Sequence, residues 1–226
     1  MIEYTLERKQ RKNITICVNE GQVVVRAPLC CSQVHIENFI HQKESWILQK
    51  QSEWLELQKS KQSFVDNFGY GSKITIRGNE LCVTPINKAI AEIDDVSLYI
   101  PAGLDNAQAR DACIKACYHI ASKHLPSRVE FFAKQMNVVP KSIKINTARS
   151  RWGSCSGCKR LNFSWRLICG SDDVIDYVVV HELAHILQMN HSDKFWDIIA
   201  TVMPDYKKHI CELRKLHCKL VSEGWV

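Results

Sequence analysis

The sequence contains a short motif in which two histidines flank a glutamate, His181-Glu182-Leu183-Ala184-His185, or H-E-x-x-H. Residues four apart on an α-helix differ by about 40° around its axis, so both imidazoles face one side and can bind the same metal ion. Glu182 directly follows the first histidine and can reach a water molecule on that metal without being a ligand itself. The spacing therefore predicts two metal ligands and a general base.

A third histidine, His191, follows the motif. On an unbroken helix its side chain would point about 240° away from that of His185, so the helix must end between Leu187 and His191 for the two to share a metal. Asn190 tolerates left-handed backbone and is the predicted position of the break. Three histidines with an open fourth position are typical of a catalytic zinc site. The alternative for His191 is a histidine that packs in the core beside a helix end.

The helices on both sides of this break are predicted from their caps and apolar residues. The segment from Val174 to Leu187 begins with the composition of a strand, but its apolar run is much longer than a strand of about 6 residues. Asp172 and Asp173 lie where an N-cap and first-turn acids belong, so we predict a buried helix. Ser192 is the predicted N-cap of the next helix. The apolar side of that helix is formed by Phe195, Trp196, Ile199 and Val202.

The remaining elements indicate two parts of different character. The first part has predicted strands at 14–18, 22–26, 73–77, 80–84 and 96–100, a turn at Gly78-Asn79, and a long polar helix from the N-cap Ser32 to about Lys61. The second has predicted helices at 104–123 and 128–136, broken near Pro126, and strands at 142–147 and 160–168. We expect a β-rich module at residues 1–100 and a catalytic domain at residues 101–226.

Composition limits the class of protein. The chain has 226 residues, of which 46% are hydrophobic and 24% charged, which is typical of a globular protein and excludes a disordered or collagen-like one. Its N-terminus has no apolar signal core, and no stretch approaches the roughly 18 apolar residues of a membrane span. The 11 cysteines are therefore expected to be thiols in a reducing, cytoplasmic setting. A net charge of +6 permits anionic partners without requiring them.

The motif and its surroundings resemble the YgjP-like metallopeptidases, zincins related to the SprT and WLM groups. The resemblance rests on His181 to His185, Asn190-His191-Ser192, Phe195-Trp196, Met203-Pro204-Asp205-Tyr206, Arg149 to Ser156, Asn162 to Ile168 and Tyr177 to Val180. It implies a zinc ion held by His181, His185 and His191, with Glu182 as base and acid. It also implies an α+β fold class, a zincin-like core of a small sheet plus the H-E-x-x-H helix, preceded by the β-rich module with one long helix. The spacing also matches the longer H-E-x-x-H-x-x-G-x-x-H pattern of the metzincins. Gln188 stands at the position of the glycine in that pattern, so the helix break must use another residue.

The predicted activity is zinc-dependent hydrolysis of peptide bonds, in which zinc-activated water attacks the carbonyl carbon and Glu182 is the general base. The oxyanion needs a further donor, and the candidates are Arg166, Tyr177, Arg151 and Tyr206. Asp176 and Asp197 are candidates for orienting the ligand imidazoles. A polypeptide substrate is expected to add as a strand at a sheet edge formed by residues 160–168.

Two other functions remain open on the sequence alone. The same site could hydrolyse a nucleoside triphosphate, because arginines at 149, 151 and 166 suit phosphate oxygens, although the chain has no glycine-rich phosphate loop. The second open function is that of a DNA-associated protease or protein-binding module. Basic clusters at 8–12 and 207–215 could contact nucleic acid, although they could also simply form a solvated face. The pair Cys155 and Cys158 is a weak signal for a second metal. No membrane partner is expected, and the oligomeric state is not predicted.

Overall fold

The computed structural model describes residues 2–225. The chain divides into two compact units, residues 1–63 and 64–226. The boundary expected from the sequence, near residue 100, differs from this division. The reason is that the strands between residues 73 and 101 bury Ile74, Leu81, Val83 and Ile100 in the same hydrophobic core as the helices that follow.

The smaller unit contains a three-stranded sheet and helices. Its strands are β1 (Tyr4–Lys9), β2 (Thr15–Asn19) and β3 (Gln22–Pro28), in the order β1-β3-β2. The predicted hairpin joins β2 to β3 through Glu20 and Gly21, both with positive φ. Ser32 caps α1 (Gln33–Gln42), as predicted, by accepting a hydrogen bond from the His35 amide. The predicted single long helix is interrupted at Lys43, after which α2 (Glu44–Asn67) begins.

The larger unit starts with a four-stranded sheet. Its strands are β4 (Lys73–Ile76), β5 (Asn79–Ile86), β6 (Glu92–Ile93) and β7 (Ser97–Pro101), in the order β4-β5-β7-β6. The turn between β4 and β5 is formed by Arg77 and Gly78, with φ values of 49° and 78°, because Asn79 already pairs with Ile76. The prediction of Gly78-Asn79 was wrong by one residue. The primed turn needs positive φ at both central positions, and here an arginine supplies the first.

A single long helix, α3 (Asn106–Gln135), follows this sheet and contains Pro126. The predicted break near Pro126 is wrong. A proline inside a helix removes one hydrogen bond and costs about 3 kcal/mol. Leu125 and Val129, on either side of it, are completely buried, and this burial holds both halves of α3 on one core.

The last part of the chain carries the H-E-x-x-H motif. It contains β8 (Ser142–Asn146), β9 (Gly153–Cys155), β10 (Arg160–Ser164), a 3-10 helix (Trp165–Cys169), α4 (Asp172–Leu187), α5 (Asp193–Val202) and α6 (Tyr206–Ser222). The three strands form a sheet in the order β8-β10-β9, with β8 parallel and β9 antiparallel to β10. The motif helix α4 packs against β9, α3, α5 and α6. The predicted α+β class, with a small sheet beside the motif helix, is confirmed. Among the described residues, no helix has the length and apolar character needed to cross a membrane.

Candidate metal centre

The helix that carries the motif forms despite its β-branched residues. Ser171 caps α4 by accepting a hydrogen bond from the Val174 amide, at 3.4 Å. Ser171, rather than either aspartate, is therefore the N-cap. Val178, Val179 and Val180 are buried on different sides of the helix, so tertiary burial outweighs the strand propensity of this segment.

The motif helix α4 ends before His191, as a metal site shared by the three histidines requires. α4 stops at Leu187, and Gln188 has extended backbone, with φ −143° and ψ 106°. The expected left-handed residue, Asn190, does not have positive φ, so that detail of the prediction is wrong. The Gln188 side chain instead holds the loop, because its Nε2 donates to Asn190 Oδ1 at 2.6 Å and to Ser192 Oγ at 3.2 Å. Extended backbone explains why no glycine is needed at this position.

The three histidines meet as predicted. One ring nitrogen from each of His181, His185 and His191 lies within 4.8 Å of the others. The Nε2 atoms of His181 and His191 are 3.2 Å apart, close to the roughly 3.3 Å expected for two ligands of a tetrahedral zinc ion. His185 Nδ1 lies 3.3 Å from the Gln188 carbonyl oxygen and can donate a proton to it, which leaves Nε2 free to bind a metal.

Burial prepares the His181 imidazole for a metal. Burial, aided by the two neighbouring histidines, lowers the pKa of His181 to about 4, so its ring is neutral at pH 7. Neutral imidazole is the form that binds a metal ion. The donor set therefore fits a divalent metal of the kind that metallopeptidases use, and zinc prefers nitrogen ligands of this type.

Phe195 and Trp196 of α5 form the apolar wall of the centre. The Phe195 ring stacks on His185 with centroids 4.6 Å apart and also contacts His181 at 5.0 Å and His191 at 4.7 Å. Trp196 lies beside His191 at 5.9 Å. The sequence predicted these residues only as the apolar face of a helix, and no local signal revealed that one ring would support all three ligands.

Glu182 is almost completely enclosed. It is 5% exposed, and burial raises the pKa of its carboxyl group to about 7. Its Oε2 atom is buried and has no hydrogen-bond partner among the described residues. An unpartnered buried carboxylate oxygen is costly, which indicates that a ligand or water completes its surroundings when the site works.

Gly153 of β9 permits this position of Glu182. A Cβ atom on Gly153 would lie 2.6 Å from Glu182 Oε1 and 2.7 Å from its Cγ, closer than real Cβ contacts occur. A glycine inside a strand often marks such a close approach, and this signal could have identified the residue from the sequence. The glycine is therefore part of the site although it has no side chain that could take part in the chemistry.

The two further candidate catalytic residues lie in different surroundings. Tyr177 is buried one helical turn before the first ligand, with its ring centroid 6.0 Å from that of His181, and burial raises the pKa of its hydroxyl to about 12. Arg166 is also buried, but it donates from Nε to the Trp225 carbonyl and from Nη1 to the Thr147 carbonyl at 2.9 Å. The tyrosine therefore adjoins the histidines, whereas the arginine is held by main-chain oxygens.

Two expectations about the surroundings of the site are wrong. Asp176 does not orient a ligand imidazole, because Arg128 binds both of its carboxylate oxygens at 2.6 Å. Residues 160–168 do not form a sheet edge, because β10 is the central strand and residues 165–169 form a 3-10 helix. A central strand has neighbours on both sides and cannot accept a further one. The edge beside the motif helix is β9.

The cysteines do not take part in the centre. All 11 are free thiols. Cys155 on β9 is half-buried, and burial together with the charge of Glu182 raises the pKa of its thiol. The histidine triad is the one group of three or more metal-binding side chains in close proximity among the described residues, so no second metal group of this kind is present at Cys155 and Cys158.

Comparison with known proteins places these features in a family. A family model described as YgjP-like, metallopeptidase domain, matches residues 12–216. The crystal structure of the metallopeptidase zymogen of Pyrococcus abyssi abylysin is similar over 40% of this chain and 92% of that chain, with 16% identity and a TM-score of 0.38. The zymogen of Methanocaldococcus jannaschii jannalysin is similar over 45% of this chain and 97% of that chain, with 20% identity and a TM-score of 0.35. No curated protein matches the chain.

Proposed function

Because the chain belongs to the YgjP-like metallopeptidase family, we propose that it is a zinc-dependent peptidase with its active site at the histidine triad. The observation that carries this proposal is the approach of His181, His185 and His191 within 4.8 Å beside the enclosed Glu182. A zinc ion held by these three imidazoles would supply Lewis acidity that activates water and polarises a carbonyl group.

Glu182 is the proposed general base and acid. Its Oε2 has no partner among the described residues, so it is free to accept a proton from the attacking water molecule. The same atom then returns the proton to the leaving amine nitrogen. Gly153 lies against the Glu182 carboxyl group, and the 5% exposure of this side chain shields it from bulk water.

Tyr177 is our preferred donor to the developing oxyanion. Its ring lies against His181, whereas two nitrogens of Arg166 already donate to main-chain carbonyls. A phenol that keeps its proton, as burial favours here, can donate a hydrogen bond to an anionic oxygen. Arg166 is therefore not our candidate for the oxyanion donor.

β9 is the edge strand beside this centre and offers a place for a polypeptide substrate. It pairs with β10 on one side, and within residues 2–225 no strand pairs with its other side. An extended peptide that paired with β9 would pass next to Gly153, and therefore next to Glu182.

The replacement Glu182→Gln tests the proposal. We expect the purified variant to bind zinc as the wild type does, because the residue is not a ligand, but to lose at least about 100-fold in kcat/KM on unfolded protein, because the general base is removed. Zinc content and release of peptide fragments are the measurements. The control is Glu130→Gln on the exposed side of α3, which should keep full activity.

Two results would contradict the proposal. His191→Ala should lower zinc affinity, and unchanged zinc affinity in that variant would show that the three-histidine site is wrong. Nucleoside triphosphates are the second substrate to be assayed with the same preparations. Release of pyrophosphate by the wild type, without any peptide cleavage, would replace the peptidase with a nucleotide hydrolase.

A further inference from the structure

A small pocket lined by positive side chains lies next to the proposed active site. Arg149, Arg151, Arg166 and His217 contribute to its wall, together with Trp152 and Ser164. Its volume is about 30 Å³. Trp152 immediately precedes Gly153, the residue that contacts Glu182, so one wall of the pocket adjoins the start of β9.

The positive charge in this pocket has no salt-bridge partner among the described residues. The salt bridges within residues 2–225 include none to Arg149, Arg151 or Arg166. Arg166 is 7% exposed, and its hydrogen bonds go to neutral carbonyl groups. Burial and the nearby Arg149 lower the pKa of Arg166. A buried charge without a counter-charge is costly, so an anion that entered here would be bound favourably.

From this arrangement we infer that the pocket is a specificity subsite that binds a carboxylate group of the peptide substrate. The inference rests on the proposed peptidase function. Guanidinium groups pair with carboxylates through short, charge-assisted hydrogen bonds. A peptide substrate brings carboxylate groups through its aspartate and glutamate side chains, so a carboxylate is the anion that this class of substrate offers to the arginines.

The position of the pocket indicates how far from the cleaved bond the substrate carries its carboxylate. Trp152 lines the pocket and immediately precedes Gly153, the first residue of β9, so a peptide paired with β9 would pass close to the pocket. Because Gly153 adjoins the proposed general base, the acidic residue is within a few positions of the bond that is cleaved. The enzyme should therefore prefer sequences with glutamate or aspartate close to the cleaved bond.

Binding measurements test the proposed carboxylate subsite without depending on hydrolysis. Zinc-loaded Glu182→Gln protein is titrated calorimetrically with capped alanine peptides that carry one glutamate, or one glutamine as the neutral match, at successive positions. At one position we expect the glutamate peptide to bind about 10-fold more tightly or better, since hydrogen bonds between charged groups are stronger than those made by the neutral amide. The preference should decrease with added salt.

The double replacement Arg149→Gln with Arg151→Gln should bring the ratio of the affinities for the glutamate and glutamine peptides close to one. Both side chains are exposed, and circular dichroism with thermal melting checks that the fold is kept. Arg166 is left unchanged because it holds the Trp225 carbonyl. Arg160→Gln, at the exposed start of β10 and outside the pocket lining, is the matched control and should keep the preference.

Each other result overturns the inference. A preference for glutamate that survives the double replacement would mean that the carboxylate binds elsewhere. If no peptide binds at all, the pocket is not a subsite for a substrate carboxylate. Inorganic phosphate that binds more tightly than the glutamate peptide, and does so only with both arginines present, would make the pocket a phosphate site. Charge-dependent binding by a protein whose wild type cleaves no peptide would retain the pocket but reject the proposed peptidase.

Discussion

At the scale of single residues, the candidate site depends on side chains that do no chemistry. Gly153 leaves room for the Glu182 carboxyl group, and Gln188 joins the end of the motif helix to the loop that carries His191. Phe195 contacts all three imidazoles. These residues restrict the positions of the reacting groups, and small displacements in an active site have large effects on rate.

Replacement of Gly153 by alanine should separate catalysis from metal binding. The new methyl group would displace the Glu182 side chain, so we expect kcat/KM for peptide cleavage to fall by about 10-fold or more while zinc content stays unchanged. Gly157→Ala is the control, because nothing lies within 4 Å of a Cβ atom at that position. Equal activity of the two variants would mean that the contact with Glu182 is not important.

At the scale of elements, an ion pair connects the β4–β5 turn to the start of the motif helix. Arg77 donates from Nε and Nη2 to the two carboxylate oxygens of Asp172, at 2.8 and 2.6 Å, and its amide donates to the Ile168 carbonyl. These contacts help to place the first turn of α4. The arginine holds the pKa of Asp172 below its ordinary value by hydrogen bonding.

The pair should make stability depend on pH in the acid range. A carboxyl group whose pKa is depressed by folding stabilises the native state above its unfolded pKa of about 3.9, and this stabilisation is lost as the pH falls through the folded value. Since both side chains are about half exposed, at 47% and 48%, the effect should be about 1 kcal/mol or less. We expect Asp172→Asn to lower the unfolding free energy at pH 6 and to match the wild type near pH 2.

Urea unfolding at a series of pH values measures this difference. Asp173→Asn, at the adjacent exposed position, is the control and should stay within about 0.5 kcal/mol of the wild type throughout. A deficit in Asp172→Asn that is constant between pH 6 and pH 2 would contradict a contribution from the ionised pair.

At the scale of the whole molecule, residues far apart in sequence are joined around Trp225. Its indole packs edge-on against Phe68 at 5.2 Å and Trp165 at 6.5 Å, and the Arg110 guanidinium lies 3.9 Å from its ring centroid. Its carbonyl accepts a hydrogen bond from Arg166, the buried arginine of the proposed subsite. The chain end thereby supports the core of the larger unit and one wall of the subsite.

Removing this indole should destabilise the larger unit. Trp225 is 4% exposed, so Trp225→Ala is expected to lower the unfolding free energy by about 3 kcal/mol through lost burial and a residual cavity. Phe131→Ala serves as the control, because that aromatic ring is 54% exposed and should cost much less. Urea unfolding followed by circular dichroism compares the two, and equal losses would contradict a special role of the cluster around Trp225.

The sequence by itself determined the residues that could perform chemistry and the helix that carries them. The spacing of His181, Glu182 and His185 follows from the helical repeat, and the need for a break before His191 follows from the same geometry. These inferences hold because they involve neighbours along one helix. The place of Ser32 as an N-cap is predictable for the same local reason.

Only the tertiary structure decided which distant groups meet. The continuity of α3 through Pro126, the central position of β10 and the contact of Gly153 with Glu182 all depend on packing between segments that are separated in the chain. Local propensities differ by about 1 kcal/mol or less, or about 3 kcal/mol for a proline inside a helix. Burial of each large side chain contributes about 1.5–3 kcal/mol, and several are buried together, so packing prevails where the two conflict. The charged pocket beside β9 arises in the same way, from arginines that only the folded chain brings to one wall.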